Sequence, residues 1–339
     1  MKQERTYLDM AKGLSVLFIL WASARGVFSN YLQLFHFPFF FLLCGYTADQ
    51  ESDLPSFVKE KVHKIYIPYV VWNSLFMIGK ALIRRSGRRE LLLKIPEIFL
   101  LLEKDGEFFG ASWTLAALFL VSCLYRFAEE FGHQDLRHHR ILTLVFLFLA
   151  FTGLNFNMPF MLSRVTVMGA FYALGVQARY EGFDIEKHGK FNRALLAILI
   201  FAVFTVGNSV NLGANKYSNA GAFFVTSLSA SYAVLYLCRK LEETEVSWLQ
   251  GSKHILNYLS GRAVPLILWH FCGFWLAKLV QFKSTAQPFA DLFKTAAIGS
   301  TENGWWLIYF AIGSAFALGW SELLKLGFWG KILKKLHLV

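Results

Sequence analysis

Ionisable side chains set inside long apolar runs are the residues of this sequence best placed to do chemistry. Nine histidines occur, and all but two fall in polar stretches. His36, in QLFHFPFFFLLCGY, and His270, in PLILWHFCGFW, lie within apolar runs. An ionisable group is costly in hydrocarbon, so by default it marks a site or a pathway. Imidazole titrates near neutral pH and can take up or release a proton there. Arg164 also sits inside an apolar run. The first run, YLDMAKGLSVLFILWASARG, adds Asp9, Lys12 and Ser23. On a helix, Ser23 falls about 20° past three full turns from Lys12 and ~16 Å further along the axis. Asp9 lies about 40° from Ser23 on the same side. A cation at one end and a hydroxyl part-way along therefore share one stripe. Each residue also has a plainer reading: a snorkelling lysine or arginine, a packing serine, a hydrogen-bonded structural histidine.

Other chemistries lack their signatures. The sequence has no G-x-x-x-x-G-K-[ST], G-x-S-x-G, H-E-x-x-H or H-x-x-x-x-D segment, so nucleotide hydrolysis, serine-hydrolase chemistry and zinc proteolysis are unsupported. Cys44, Cys123, Cys238 and Cys272 are widely separated in or beside apolar runs. They read as buried thiols, and neither a disulfide framework nor a metal site is expected.

The elements that must position these residues are long and apolar. Of 339 residues, 55% are hydrophobic and only 17% charged, against roughly 25% charged in a soluble domain. The mean hydropathy is +0.43. About 20 apolar residues span a bilayer as a helix. Ten stretches qualify, at about 11–28, 32–47, 65–83, 111–128, 141–157, 160–178, 193–211, 220–238, 263–281 and 304–324. The runs are continuous rather than alternating, which disfavours a barrel. The expected fold is all-α, a polytopic membrane bundle of about ten transmembrane helices in a single domain over 1–339. Lys and Arg are most frequent in the segments that are cytoplasmic if the N-terminus is inside, which puts both termini in the cytoplasm. The first run reads as a retained signal anchor, since no cleavage site follows it. The second run is short and carries His36 and Pro38, so it is either irregular or capped by neighbours.

The 80–110 loop breaks the charge rule with Arg84, Arg85, Arg88 and Arg89 on the outer side. Either its apolar segment 91–102 dips into the membrane or lies along it, or the arginines face an anionic substrate, or the loop is an ordinary exception. The segment 239–262 contains VSWLQGSKHILNYL, which reads as an interfacial helix. The net charge of +11 is spread over the inner rims, where anionic lipid and insertion account for it. No nucleic-acid surface is expected.

The first fifty residues resemble the integral-membrane acyltransferase 3 family in its stand-alone form, without an appended soluble domain. A D-x-x-[RK]-G-[IL] segment is matched by Asp9, Lys12, Gly13 and Leu14. An F-H-x-P-[LF]-F-F-x-x-[SC]-G-Y segment is matched by Phe35, His36, Pro38, Phe39, Phe40, Phe41, Cys44, Gly45 and Tyr46. Similar elements follow at IPYVVWN (Ile67–Asn73), at Trp113 in SWTLAALFLV, in GAFYALGVQAR, and at His270. The likeness is specific over residues 5–75 and looser beyond. It implies transfer of an acyl group, acetyl in the first instance, from cytoplasmic acyl-coenzyme A to a hydroxyl of a cell-envelope carbohydrate or lipid-linked sugar. It also implies the inner or plasma membrane of a bacterial cell, with no metal required. The family's basic residue is usually arginine and here is Lys12. The family's catalytic histidine falls at Ser23, and a serine hydroxyl does not titrate near neutral pH. An inactivated variant, a natural member in which His36 takes over, and a chain that keeps binding without catalysis all remain open.

On this reading Asp9, Lys12, Lys59, Lys61 and Lys64 hold the donor at the inner rim. The pantetheine arm follows the stripe between Lys12 and position 23. Ser23 or His36 marks the catalytic position, and Trp113, Arg164 and His270 position the acceptor or the oxyanion. Two other classes compete. A carrier or flippase for a sugar-linked or anionic substrate would use the arginine loop and Arg164. An unrelated membrane-bound O-acyltransferase would pair Asn257 with His270. The oligomeric state is not legible.

Overall fold

A computed structural model describes residues 6–49, 52–84, 88–101, 110–132, 135–156, 158–159, 161–287, 292 and 297–338. In chain order the helices are α1 (Thr6–Ser23), α2 (Ser29–Gln33), α3 (His36–Tyr46), α4 (Leu54–Lys61), α5 (Ile67–Arg84), α6 (Arg88–Phe99), α7 (Trp113–Glu130), α8 (Leu136–Asn155), α9 (Leu162–Tyr180), α10 (Ile185–His188), α11 (Phe191–Thr205), α12 (Ala220–Glu243), α13 (Ser247–Ser260), α14 (Ala263–Ser284), α15 (Trp305–Leu323) and α16 (Gly327–Lys335). A π-helical segment, Val62–Tyr66, joins α4 to α5, and a 3-10 turn, Gly110–Ser112, leads into α7. Two two-residue strands, β1 (Val210–Asn211) and β2 (Lys216–Tyr217), pair antiparallel with Val210 opposite Tyr217.

Helices occupy all ten apolar runs. Among the described residues, five are long and apolar enough to cross a membrane: α7 with its leading turn, α8, α12, α14 and α15. Helices α3 and α11 are apolar but shorter. The second run is both irregular and capped by a neighbour. It breaks between α2 and α3, where Phe35 leaves helical geometry at φ −145°. The carbonyl of Leu34, freed by that break, accepts the Ser227 hydroxyl of α12 at 2.6 Å. Pro38 lies in the first turn of α3, where a missing N–H costs little.

The chain forms two compact units. The first comprises residues 1–19, 30–57 and 120–263; the second comprises 20–29, 58–119 and 264–339. In the first unit α3 lies against α9 at backbone contact. A Cβ on Gly45 would collide with the Tyr172 carbonyl, and one on Gly175 with the Leu42 carbonyl. Two glycines therefore let the helices meet closely, as small residues do in membrane bundles. We expect Gly45→Val to lower the thermal midpoint of the detergent-solubilised protein, with an overpacking cost of at least about 1–3 kcal/mol. Gly251→Ala on α13, where nothing lies within 4 Å of the added carbon, leaves the midpoint unchanged. Equal effects of the two substitutions would remove the close-contact argument.

In the second unit α6 folds back along α5. The Tyr66 hydroxyl, just before α5, donates to the Phe99 carbonyl at the far end of α6 at 2.9 Å. Residues 91–101 of the 91–102 segment therefore return alongside α5, and residue 102 lies outside the described residues. Helix α7 runs antiparallel to α5, with Ser112 bonded to Asn73 and Phe119 against Tyr66. Asn73 is seven residues beyond Tyr66, or about 10 Å along the helix. The N-terminus of α7 thus begins part-way along α5, within the unit. The π segment immediately precedes Pro68, which has no N–H for the normal helical bond, and such bulges recur where a helix must be locally re-aimed.

Candidate functional site

The expected site residues divide between the two units. Asp9, Lys12, His36 and Arg164 belong to the first; Ser23, Lys59, Lys61, Lys64, Trp113 and His270 belong to the second.

In the first unit, α1 carries Asp9 exposed and Lys12 half-buried at its start. The Ser260 hydroxyl of α13 donates to Asp9 Oδ1 at 3.4 Å. A Cβ on Gly13 would strike the Leu256 carbonyl, so glycine at this position lets α13 seat directly on the segment bearing Asp9 and Lys12. His36 starts α3 and is buried, with Nδ1 2.7 Å from the Leu32 carbonyl. A carbonyl only accepts, so Nδ1 carries the proton and Nε2 is the basic nitrogen. Arg164 is 3% exposed near the start of α9, so its guanidinium is enclosed by protein and does not snorkel. Its charge acts on Tyr217 of the β1–β2 hairpin, whose phenol burial pushes up and the arginine opposes.

The face of α1 between Lys12 and Ser23 is closed. Val16 and Ile19, which lie between them on that face, are fully buried. The polar stripe expected from spacing is therefore two half-buried polar ends separated by covered apolar residues.

Ser23 ends α1 in a fixed geometry. Arg25 adopts a left-handed conformation at φ 54°. The Arg25 N–H then donates to the Ala22 carbonyl at 3.1 Å, and the Gly26 N–H to the Trp21 carbonyl at 3.3 Å. This paired closure satisfies the last helical carbonyls. The next residue, Ala24, is buried in a cluster with Phe274 and Trp275 of α14 and Tyr309 of α15, with Phe271 packed against it. The end of α1 and the His270 turn of α14 thus meet around one aromatic group.

His270 is fully buried, with Nδ1 2.8 Å from the Leu266 carbonyl. As at His36, that bond fixes the proton on Nδ1 and leaves Nε2 basic. His270 Nε2 has no hydrogen-bond partner among the described residues. A buried polar atom without a partner is unusual enough to need an explanation. The rings of Phe271 and Phe274 flank the imidazole at 4.7 and 5.2 Å.

Trp113 is buried at the start of α7. Gly110, three residues earlier, packs onto the Phe271 ring, which brings the α7 N-terminus to the same aromatic group. Three polar residues that sequence reasoning left without a role lie here. Asn73 is buried, donates to the Tyr69 carbonyl at 2.7 Å and accepts the Ser112 hydroxyl at 3.2 Å. Thr114 is fully buried, and its hydroxyl has no hydrogen-bond partner among the described residues. Asn73 closes the IPYVVWN segment, and that apolar run ending in an amide was the available signal. The Asn73–Ser112 pairing depends on α7 lying antiparallel to α5 and has no sequence periodicity.

The lysines expected to hold the donor follow one another through α4 and the π segment. Lys59 and Lys64 are exposed and Lys61 is half-buried. Lys64 pairs with Glu60 at 2.9 Å, so part of its charge is already met.

Long apolar helices enclosing Arg164, His36 and His270 define an integral-membrane helical protein with ionisable groups inside it. A family model described as an acyltransferase domain, acyltransferase 3, matches residues 5–323. The chain belongs to that family, and an integral-membrane acyltransferase is the general assignment that follows. Searches of curated proteins and of solved structures give no match.

Proposed function

We propose that this protein is an acyl-coenzyme A-dependent O-acyltransferase with about ten membrane crossings and both termini cytoplasmic. It moves an acyl group, acetyl in the first instance, to a hydroxyl of a cell-envelope carbohydrate or lipid-linked sugar. Membership of the acyltransferase 3 family over residues 5–323 carries the reading. The buried Nε2 of His270, which has no hydrogen-bond partner among the described residues, supports the chemistry. The Lys59–Lys61–Lys64 row holds the donor phosphates as point charges. With Val16 and Ile19 closed over the face between Lys12 and Ser23, the pantetheine arm enters only when that face opens.

A base removes the proton of the acceptor hydroxyl, and the oxygen attacks the thioester carbonyl. The tetrahedral oxyanion then collapses, the C–S bond breaks, and the thiolate of coenzyme A takes up the proton. In this chain the base assigned to the Ser23 end of α1 is His270, whose tautomer is set by Leu266. His36, fixed by Leu32 in the first unit, is the second candidate. Trp113, Asn73 and Thr114 share the second unit with His270, and the turn that leads into α7 touches Phe271 at Gly110; their indole N–H, amide and hydroxyl donors can serve the oxyanion.

The experiment is incubation of the reconstituted protein with radiolabelled acetyl-coenzyme A and membrane glycans, reading both labelled ester and free coenzyme A. Transport of a donor or acceptor without ester formation would overturn the reading. Coenzyme A binding should weaken markedly between low and high ionic strength, because exposed lysine–phosphate attraction is screened within about 8–10 Å at 0.10–0.15 M salt. Salt-independent binding would exclude the lysine row as the phosphate site.

A further inference from the structure

We propose that the first unit holds part of one hydrocarbon chain of an ethanolamine phospholipid, in a cavity between α1, α3, α9, α12 and the connector around α10, the rest of the chain leaving through the exposed edge of the lining. This site is independent of the transferase reading. The cavity has a volume of about 230 Å³. Leu42, Leu43, Leu174 and Leu235 line it together with the rings of Tyr7, Tyr46 and Tyr232. The tyrosines present their rings because their hydroxyls are engaged elsewhere. Tyr7 donates to Asp184 Oδ1 at 3.2 Å, Tyr46 to the Phe183 carbonyl at 2.6 Å and Tyr232 to the His188 carbonyl at 3.0 Å. Ser231 also lines the cavity, and it donates to the Ser227 carbonyl of its own helix at 2.6 Å.

A sugar or a pantetheine amide placed here would lose its hydrogen bonds to water and gain none. Water itself needs two to four polar partners, whereas a dry apolar cavity of about 150 Å³ already admits benzene. Hydrocarbon is the chemistry that fits. Leu228, on the α12 wall, is 38% exposed, and Leu8 and Tyr232 are half-buried, so the lining reaches the surface.

The charges beside the cavity select the head group. At the Tyr7 wall, Arg239 lies 6.0 Å over the ring and is already matched by Glu242, by Glu243 at 3.3 Å and by Glu186 at 3.7 Å. With Asp184 on the Tyr7 hydroxyl, this wall carries more carboxylates than cations. At the Tyr232 wall the sign reverses: Arg193 donates to the same His188 carbonyl that Tyr232 uses, at 3.1 Å. An ammonium at the first wall and a phosphate at the second describe a zwitterionic ethanolamine head group. A purely anionic head group would face the carboxylates at Tyr7.

The test uses the full-length protein in detergent with phosphatidylethanolamine and phosphatidylglycerol of matched chains, read by native mass spectrometry. One phosphatidylethanolamine should remain bound, in preference to phosphatidylglycerol. Ser231→Phe, which fills the cavity, should weaken retention by about tenfold or more, equivalent to about 1.4 kcal/mol, without lowering the thermal midpoint. If that variant fails to fold, Leu235→Phe serves in its place. Glu242→Gln should move the preference toward phosphatidylglycerol. The proposal is overturned by no retained lipid, by equal or stronger retention of phosphatidylglycerol, or by filled variants that bind lipid as the unmodified protein does.

Discussion

Ser23→His should raise acyl transfer by about 10²–10⁴-fold, the range that a positioned general base contributes. The argument rests on what the end of α1 already provides. Residue 23 closes an uninterrupted helix, and the bonds from Arg25 and Gly26 to Ala22 and Trp21 fix where that helix stops. The flanking Ala24 is buried with Phe274, so the terminus is held against α14. Ser23 itself is half-buried, which leaves room for an imidazole to replace a hydroxymethyl group. A serine there can donate or accept a hydrogen bond but cannot take a proton from an alcohol near neutral pH. The assay is initial-rate ester formation from acetyl-coenzyme A, with coenzyme A binding measured alongside. A rise in rate at unchanged donor binding places the base at residue 23. An unchanged or reduced rate means that another imidazole does the work and that serine is the functional residue at this position.

The sequence exposed the parts of the site that are local. Asp9, Lys12 and Gly13 form one turn of one helix, so their spacing alone assigns them a common end. The burial of His36 and His270 follows from their apolar neighbours, and the break at Pro38 from the short run around it. What the sequence concealed depends on contacts between distant segments. Asn73 meets Ser112 because α7 runs antiparallel to α5, and nothing in IPYVVWN or SWTLAALFLV reports which helix lies beside which. The spacing from Lys12 to Ser23 put both on one face, but spacing does not report what covers that face. Val16 and Ile19 are apolar members of the same stripe, and their burial closes it. Arg164 was balanced between snorkelling and an internal role. Its enclosure decides that balance, and its charge reaches Tyr217 of the hairpin between α11 and α12, whose two-residue strands are too short to leave an alternating pattern.

His270→Gln should reduce the transfer rate of this chain by about 10²–10⁴-fold and leave coenzyme A binding unchanged. Glutamine keeps roughly the reach of the imidazole and can still donate to the Leu266 carbonyl, so the bond at 2.8 Å has a substitute. It cannot accept a proton near neutral pH. Glutamine keeps the bond to Leu266 and buries a polar group much as the imidazole does, so the thermal midpoint should hold. A purely structural histidine would behave differently: its loss would lower the midpoint and the rate together. His36→Gln is the matched control, because His36 has the same Nδ1 arrangement with Leu32 but lies in the first unit. If the two histidines exchange roles, His36→Gln abolishes transfer and His270→Gln spares it. In the Ser23→His background the two readings separate further. A restored base at residue 23 makes His270 a positioning residue, so His270→Gln should then cost far less than it does in the serine chain. An undiminished loss would mean that His270 handles the proton whatever stands at position 23.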